Sequence, residues 1–188
     1  MHVAMGFLGY RAHHPDYYAQ AMLSIILGGN MSSRLFNEVR EKHGLAYSIS
    51  AGIKSLSDTG ALMIRAGVDN AKIVAAIRLI LKVLASTHKI NKGEFQRTKD
   101  YFKGQFLLSL EDTMEHMLWV GSEVLSGDHI KSSHDVIAKI DAVSMDDVVR
   151  VAKDILAPHK LNLALIGPLD GKGEKQLKTI IDKGVFIL

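Results

Sequence analysis

Two runs of alternating apolar residues flank Asp58-Thr59-Gly60, and no other feature of the chain restricts its fold as tightly. Leu45, Tyr47, Ile49, Ala51 and Ile53 recur at every second position before the turn, and Leu62, Ile64, Ala66 and Val68 do so after it. A period of two turns one face of a strand inward, and a short polar turn between two such runs reads as a hairpin. Two further strands follow from the same pattern. Val3, Met5 and Phe7 alternate with Ala4 and Gly6, and Leu161, Leu163 and Leu165 alternate ahead of Gly167-Pro168.

The remaining apolar residues follow helical spacing. Pro15 suits the first turn of a helix, with Asp16 favoured near its positive end, and Ala19, Met22, Leu23, Ile26 and Leu27 continue it to Gly28-Gly29. Ser32 or Ser33 offers an N-cap for a second helix that buries Leu35, Phe36 and Val39 and closes at Gly44, a natural left-handed residue. Asn70 opens a helix with the stripe Ile73, Ile77, Ile80, Leu81 and Leu84, and Asn91 with Glu94 resembles a capping box for a helix through about Leu110. Residues 113–125 are helical, ended by Gly127. Ser144 with Asp147 opens a short helix, and a lysine-rich amphipathic helix spans about 174–182. Strands gathered around one hairpin, with helices in runs, predict an α+β fold: an antiparallel or mixed sheet with helices on one face. No linker, repeat or low-complexity tract divides the 188 residues.

Composition removes several function classes. Net charge is only +3 and the lysines are scattered, which argues against nucleic acid as a partner. No apolar run approaches the roughly 18 residues of a membrane span, and residues 1–10 lack the basic and apolar regions of a signal peptide. The chain opens inside a strand, so Met1 is not expected to be a natural beginning. The absence of cysteine excludes disulfides and thiolate zinc sites and fits a reducing, cytoplasmic location.

Nine histidines invite a metal reading, but their spacing refuses it. A helical zinc pair needs His at i and i+4 beside a glutamate. His13 and His14 are adjacent, His129 and His134 stand five apart in an expected loop, and Glu115-His116 has no second His at helical distance. His43, His88 and His159 fall near element ends. Ser32 and Ser33 lack a nucleophile elbow, and Gly28-Gly29 is not followed by a phosphate-loop lysine. Lys172, Lys175 and Lys178 read as a solvated face; Met114, Met117, Leu118 and Trp119 read as core.

One segment is specific enough to suggest a family. The run Gly28-Gly29-Asn30-Met31-Ser32-Ser33-Arg34-Leu35-Phe36, continuing through Val39-Arg40-Glu41-Lys42-His43-Gly44-Leu45-Ala46-Tyr47-Ser48, resembles the non-catalytic half of the insulinase/pitrilysin-type zinc peptidases, which include the processing peptidases. In that family a glycine-led helix with an SSRLF-like segment ends in R-x-x-x-G-L-x-Y. Its Arg and Tyr contact the peptide substrate; here they are Arg40 and Tyr47. The zinc-binding H-x-x-E-H of the catalytic half is absent from all 188 residues. The resemblance therefore implies that residues 1–188 are a single C-terminal domain of the family. It would clamp peptide against a catalytic N-terminal half or partner subunit that carries H-x-x-E-H, the zinc and the catalytic residues. This chain itself would hold no metal, cofactor or catalytic residue, and would self-associate as a homodimer. A non-catalytic structural subunit of the same family is the alternative, disfavoured by the presence of both Arg40 and Tyr47. Position and periodicity alone allow blander roles: Arg40 as a surface arginine at a helix C-terminus, and Tyr47 as a core residue between apolar Leu45 and Ile49.

Overall fold

The structure, a computed structural model, describes residues 1–125 and 131–182. Four strands form one antiparallel sheet: β1 (His2–Gly9), β2 (Ala46–Ser55), β3 (Gly60–Val68) and β4 (Leu161–Ile166). Their order is β2-β3-β1-β4. The hairpin of β2 and β3 forms as its alternation predicts, and β1 lies between β3 and β4. Val3, Met5 and Phe7 of β1, Leu62, Ile64 and Ala66 of β3, and Ile49 and Ala51 of β2 all turn into one buried face.

Among the described residues, helices cover only that face. After β1 come α1 (Tyr17–Ser24), which runs into a π-helical turn (Ile25–Gly29), and a second π-helix (Phe36–Lys42), called here the motif helix. After β3 follow α2 (Ile73–Ala85), α3 (Lys92–Glu111), α4 (Thr113–Leu125), α5 (Ser133–Ala142) and α6 (Met145–Ile155). The last, α7 (Gly171–Asp182), follows β4. The apolar stripes of α1, α2 and α6 meet the inner sheet face: Met22, Leu23, Leu27, Ile77, Ile80, Leu84, Val148, Val151 and Ile155 are buried in a single cluster with the strand residues. Burying such large aliphatic side chains is the main force that holds the two layers together.

Several local expectations are corrected. Pro15 lies just ahead of α1 rather than in its first turn, while Asp16 stands at the helix's N-terminal end as expected, its two carboxylate oxygens accepting from Arg150 at 2.9 and 2.6 Å. Asn30, not Ser32 or Ser33, organises the turn before the motif helix, its Oδ1 accepting the Ser32 N–H at 2.9 Å. Asp69 rather than Asn70 caps the 3₁₀ turn leading to α2, accepting the Ala71 N–H at 3.0 Å. Asn91 caps α3 alone, because the Glu94 side chain is held elsewhere. Helix α5 was not expected; Ser132 and Asp135 close a full capping box and His134 lies in its first turn, not in a loop. Met114, Met117 and Leu118 are exposed rather than core, since α4 buries none of its residues. Gly127 and His129 lie outside the described residues.

Candidate functional site

The motif helix and β2 meet at a sharp reversal. Gly44 adopts φ 57°, a left-handed conformation that glycine accepts without cost, and its N–H donates to the Arg40 carbonyl at 3.0 Å. The Leu45 N–H reaches back to the Val39 carbonyl at 2.9 Å. These bonds close the helix and launch β2, so Arg40 lies in the last turn of one element and Tyr47 is the second residue of the next. Both side chains are exposed.

Arg40 sits on the edge of the helix's apolar stripe. Its guanidinium lies 4.6 Å from the centroid of the Phe36 ring, and Nε stands 3.6 Å from Oε1 of Glu41. An exposed pair at that distance contributes little energy and leaves the planar donor fork accessible.

Tyr47 departs from the periodicity. Ala46 pairs with Val68 and Ser48 with Gly67, so Tyr47 is the extra residue of a β-bulge. The bulge turns Tyr47 out of the core, where strict alternation would put it, and leaves it 63% exposed while Ala46 and Ile49 stay buried. Its ring lies over Gly67, where a Cβ would overlap the ring. Among the described residues its hydroxyl has no protein hydrogen-bond partner. Tyr47 therefore presents a phenolic donor on the open face of the sheet, and Gly67 provides the space for it.

A residue in the same motif has a structural task that the sequence did not disclose. Arg34 Nε and Nη2 donate to the two carboxylate oxygens of Glu94 at 2.7 and 2.6 Å. Nη1 reaches the Ser86 carbonyl at 2.7 Å and Nη2 the Lys89 carbonyl at 2.8 Å. A guanidinium with every face engaged and a side chain only 16% exposed is a clasp. It ties the segment that carries Arg40 to the end of α2 and the start of α3.

The zinc expected in this family does not fit the residues present. Among the described residues no group of three or more His, Cys, Asp or Glu side chains could hold a metal ion. The ring nitrogens of His43 and His88 instead bond to backbone carbonyls of Glu38 and Ala85 at 2.7 and 2.8 Å, and His14 stacks on Tyr10. Among the same residues no helix is long and apolar enough to cross a membrane.

The geometry is an α+β lobe with helices on one sheet face that displays an arginine and a tyrosine around a glycine reversal. Comparison with known proteins gives its class: the model of the Peptidase M16 inactive domain matches residues 1–102, and the chain belongs to that family. An uncharacterized zinc protease of Streptomyces coelicolor is 34% identical over 182 residues, covering 96% of this chain and 39% of the relative. A second uncharacterized zinc protease, YmxG of Bacillus subtilis, is 35% identical over 170 residues, covering 89% and 41%. The peptidase M16 inactive domain from Pseudomonas fluorescens, a solved structure, superposes with a TM-score of 0.74 at 21% identity over 90% of this chain and 42% of that one. The chain thus spans about two fifths of the length of the relatives it matches.

Proposed function

We propose that this chain is the peptide-binding, C-terminal half of a zinc-dependent endopeptidase, and that Arg40 and Tyr47 hold the substrate. The catalytic machinery, with H-x-x-E-H and the zinc, would reside in an N-terminal half or in a partner subunit. A reducing compartment such as the cytoplasm suits a chain without cysteine. The observation that carries this reading is the bulge at Tyr47, which gives an aromatic donor to solvent in place of the core. A guanidinium and a phenol on either side of one reversal can donate to the carbonyl oxygens of a bound peptide. They can also donate to the oxyanion that forms when one carbonyl is attacked. Preorganised donors aimed at developing charge are among the strongest contributions to catalysis.

The test uses the chain together with its catalytic half. Tyr47→Phe removes one donor and keeps the ring over Gly67. Turnover of an unfolded peptide should fall on the order of 10²–10³ while the melting temperature stays unchanged. Arg40→Ala should cost at least as much, and Arg40→Lys should restore little, because an ammonium does not reproduce the planar fork. Unaltered turnover in Tyr47→Phe would refute the substrate role and favour a purely structural subunit.

A further inference from the structure

The sheet face that the helices leave bare is not featureless. A depression of about 350 Å³ opens on it, lined among others by His2, Ser48, Ser50, Arg65, Gly67 and Ala164. A smaller depression of about 150 Å³ adjoins it along β2 and β3, and Ser50 and Arg65 line both. Arg65 is thus the charged residue between the two. It pairs across the sheet with Ser50 on one side and Ala4 on the other. It is exposed and has no hydrogen-bond or ion-pair partner among the described residues.

The charge pattern of the sheet is one-sided. The four strands contain Lys54 and Arg65 but no aspartate or glutamate. Arg65 stands two residues from Gly67, the seat of the Tyr47 ring, and points to the same side. At about 3.3 Å per strand residue the separation along β3 is roughly 7 Å, close to two residues of an extended peptide. A ligand held by Tyr47 would therefore carry a neighbouring side chain to the guanidinium.

We infer that Arg65 is a specificity residue of this face, taking the carboxylate of an aspartate or glutamate in a peptide that lies across the sheet. The inference rests on the peptide-binding reading of Tyr47 and adds to it which peptides are chosen. Arginine suits the task, since its fork matches a carboxylate and stays charged at any physiological pH. Complementary charge at an open site selects among partners more than it adds raw affinity.

The experiment measures binding of fluorescent, matched peptides to the 188-residue chain, with Asp, Asn or Lys at one central position and free or amidated C-termini. The Asp peptide should bind about fivefold more tightly than the Asn peptide at low salt, with the Lys peptide weakest, and added salt should erase the difference. Arg65→Gln should abolish the preference and Arg65→Glu should invert it, both with unchanged melting temperature. Equal binding of Asp and Asn peptides, a preference that survives Arg65→Gln, dependence on the terminal carboxylate instead of the side chain, or no binding at all would each overturn the inference. Separate readouts keep the two ideas apart. If charge preference is absent while Tyr47→Phe still slows turnover, only Arg65 loses its role. If the preference follows Arg65 while Tyr47→Phe leaves turnover intact, the role of Tyr47 is what falls.

Discussion

The ring of Tyr47 rests on Gly67, and this contact makes the tyrosine unusually easy to misplace. A methyl group at position 67 would meet the far end of the ring, which is exposed and free to swing away. Gly67→Ala should therefore cost only about 1 kcal/mol, the middle of the ordinary range for point substitutions, although Gly67 itself is buried under the ring. It should nevertheless lower peptide turnover by roughly 10²-fold, because a donor displaced by an ångström loses its alignment. A thermal melt beside a turnover assay of that variant checks both halves of the expectation. Tyr47 is also the residue whose place the sequence pattern misstates. Its apolar neighbours Leu45 and Ile49 make alternation assign it to the core, and a one-residue bulge has no signature of its own, since it arises from how β2 registers on β3. Arg65 was more legible in principle. It is the one charge in an otherwise apolar and small strand, between buried Ile64 and Ala66, which is how an outward-facing side chain reads.

Among the elements, the motif helix depends on the Arg34 clasp, and the energetic argument is one of isolation. Removing Arg34 would strand the Glu94 carboxylate and the Ser86 carbonyl in a partly buried site, while the exposed Lys89 carbonyl would turn to water. Arg34→Ala should cost about 3 kcal/mol, whereas replacing both partners by apolar residues of similar volume, as in Arg34→Met with Glu94→Leu, should recover much of it. Chemical denaturation of the two variants distinguishes a clasp from an ordinary surface pair. Acid sensitivity belongs to this scale too. Hydrogen bonds from the Ser144 side chain and backbone at the start of α6, with Arg150 behind them, hold Asp147 down at about 2. Arg150 likewise lowers Asp16. A carboxylate depressed on folding contributes stability that is complete above its unfolded value near 4 and is lost as pH falls toward 2. Melting temperature should thus drop through that window, and Arg150→Gln should flatten the drop. The helices most legible in sequence carry a clear signal of their own: a long apolar stripe in α2 and a capping box in α6. Helix α5 is not legible in the same way although Ser132-x-x-Asp135 is a capping signal, because only Val136 and Ile140 of its residues are buried, too few to mark a long stripe.

For the molecule as a whole, the two layers leave an outer apolar surface on the α3–α4 hairpin. Leu107, Leu108, Met114, Met117 and Leu118 are each about half exposed or more, while Trp119 is held edge-on against Phe106 at 5.6 Å. An exposed cluster of this kind favours association. Sedimentation velocity should reveal concentration-dependent self-association that weakens in Met117→Lys, and a monomer at all concentrations would rule out a large uncovered interface. The order of strands carries a separate consequence for synthesis. β1 leaves the ribosome before either of its sheet neighbours; β3 follows within some sixty residues, but β4 spans Leu161–Ile166. At roughly 5–20 residues per second, several seconds pass in which the central strand has one row of amides and carbonyls unpaired. A nascent chain stopped after α6 would keep that row bare beside a complete hairpin, a ready template for another copy. Until its final strand arrives, the growing polypeptide depends on whatever shields β1 in the cell.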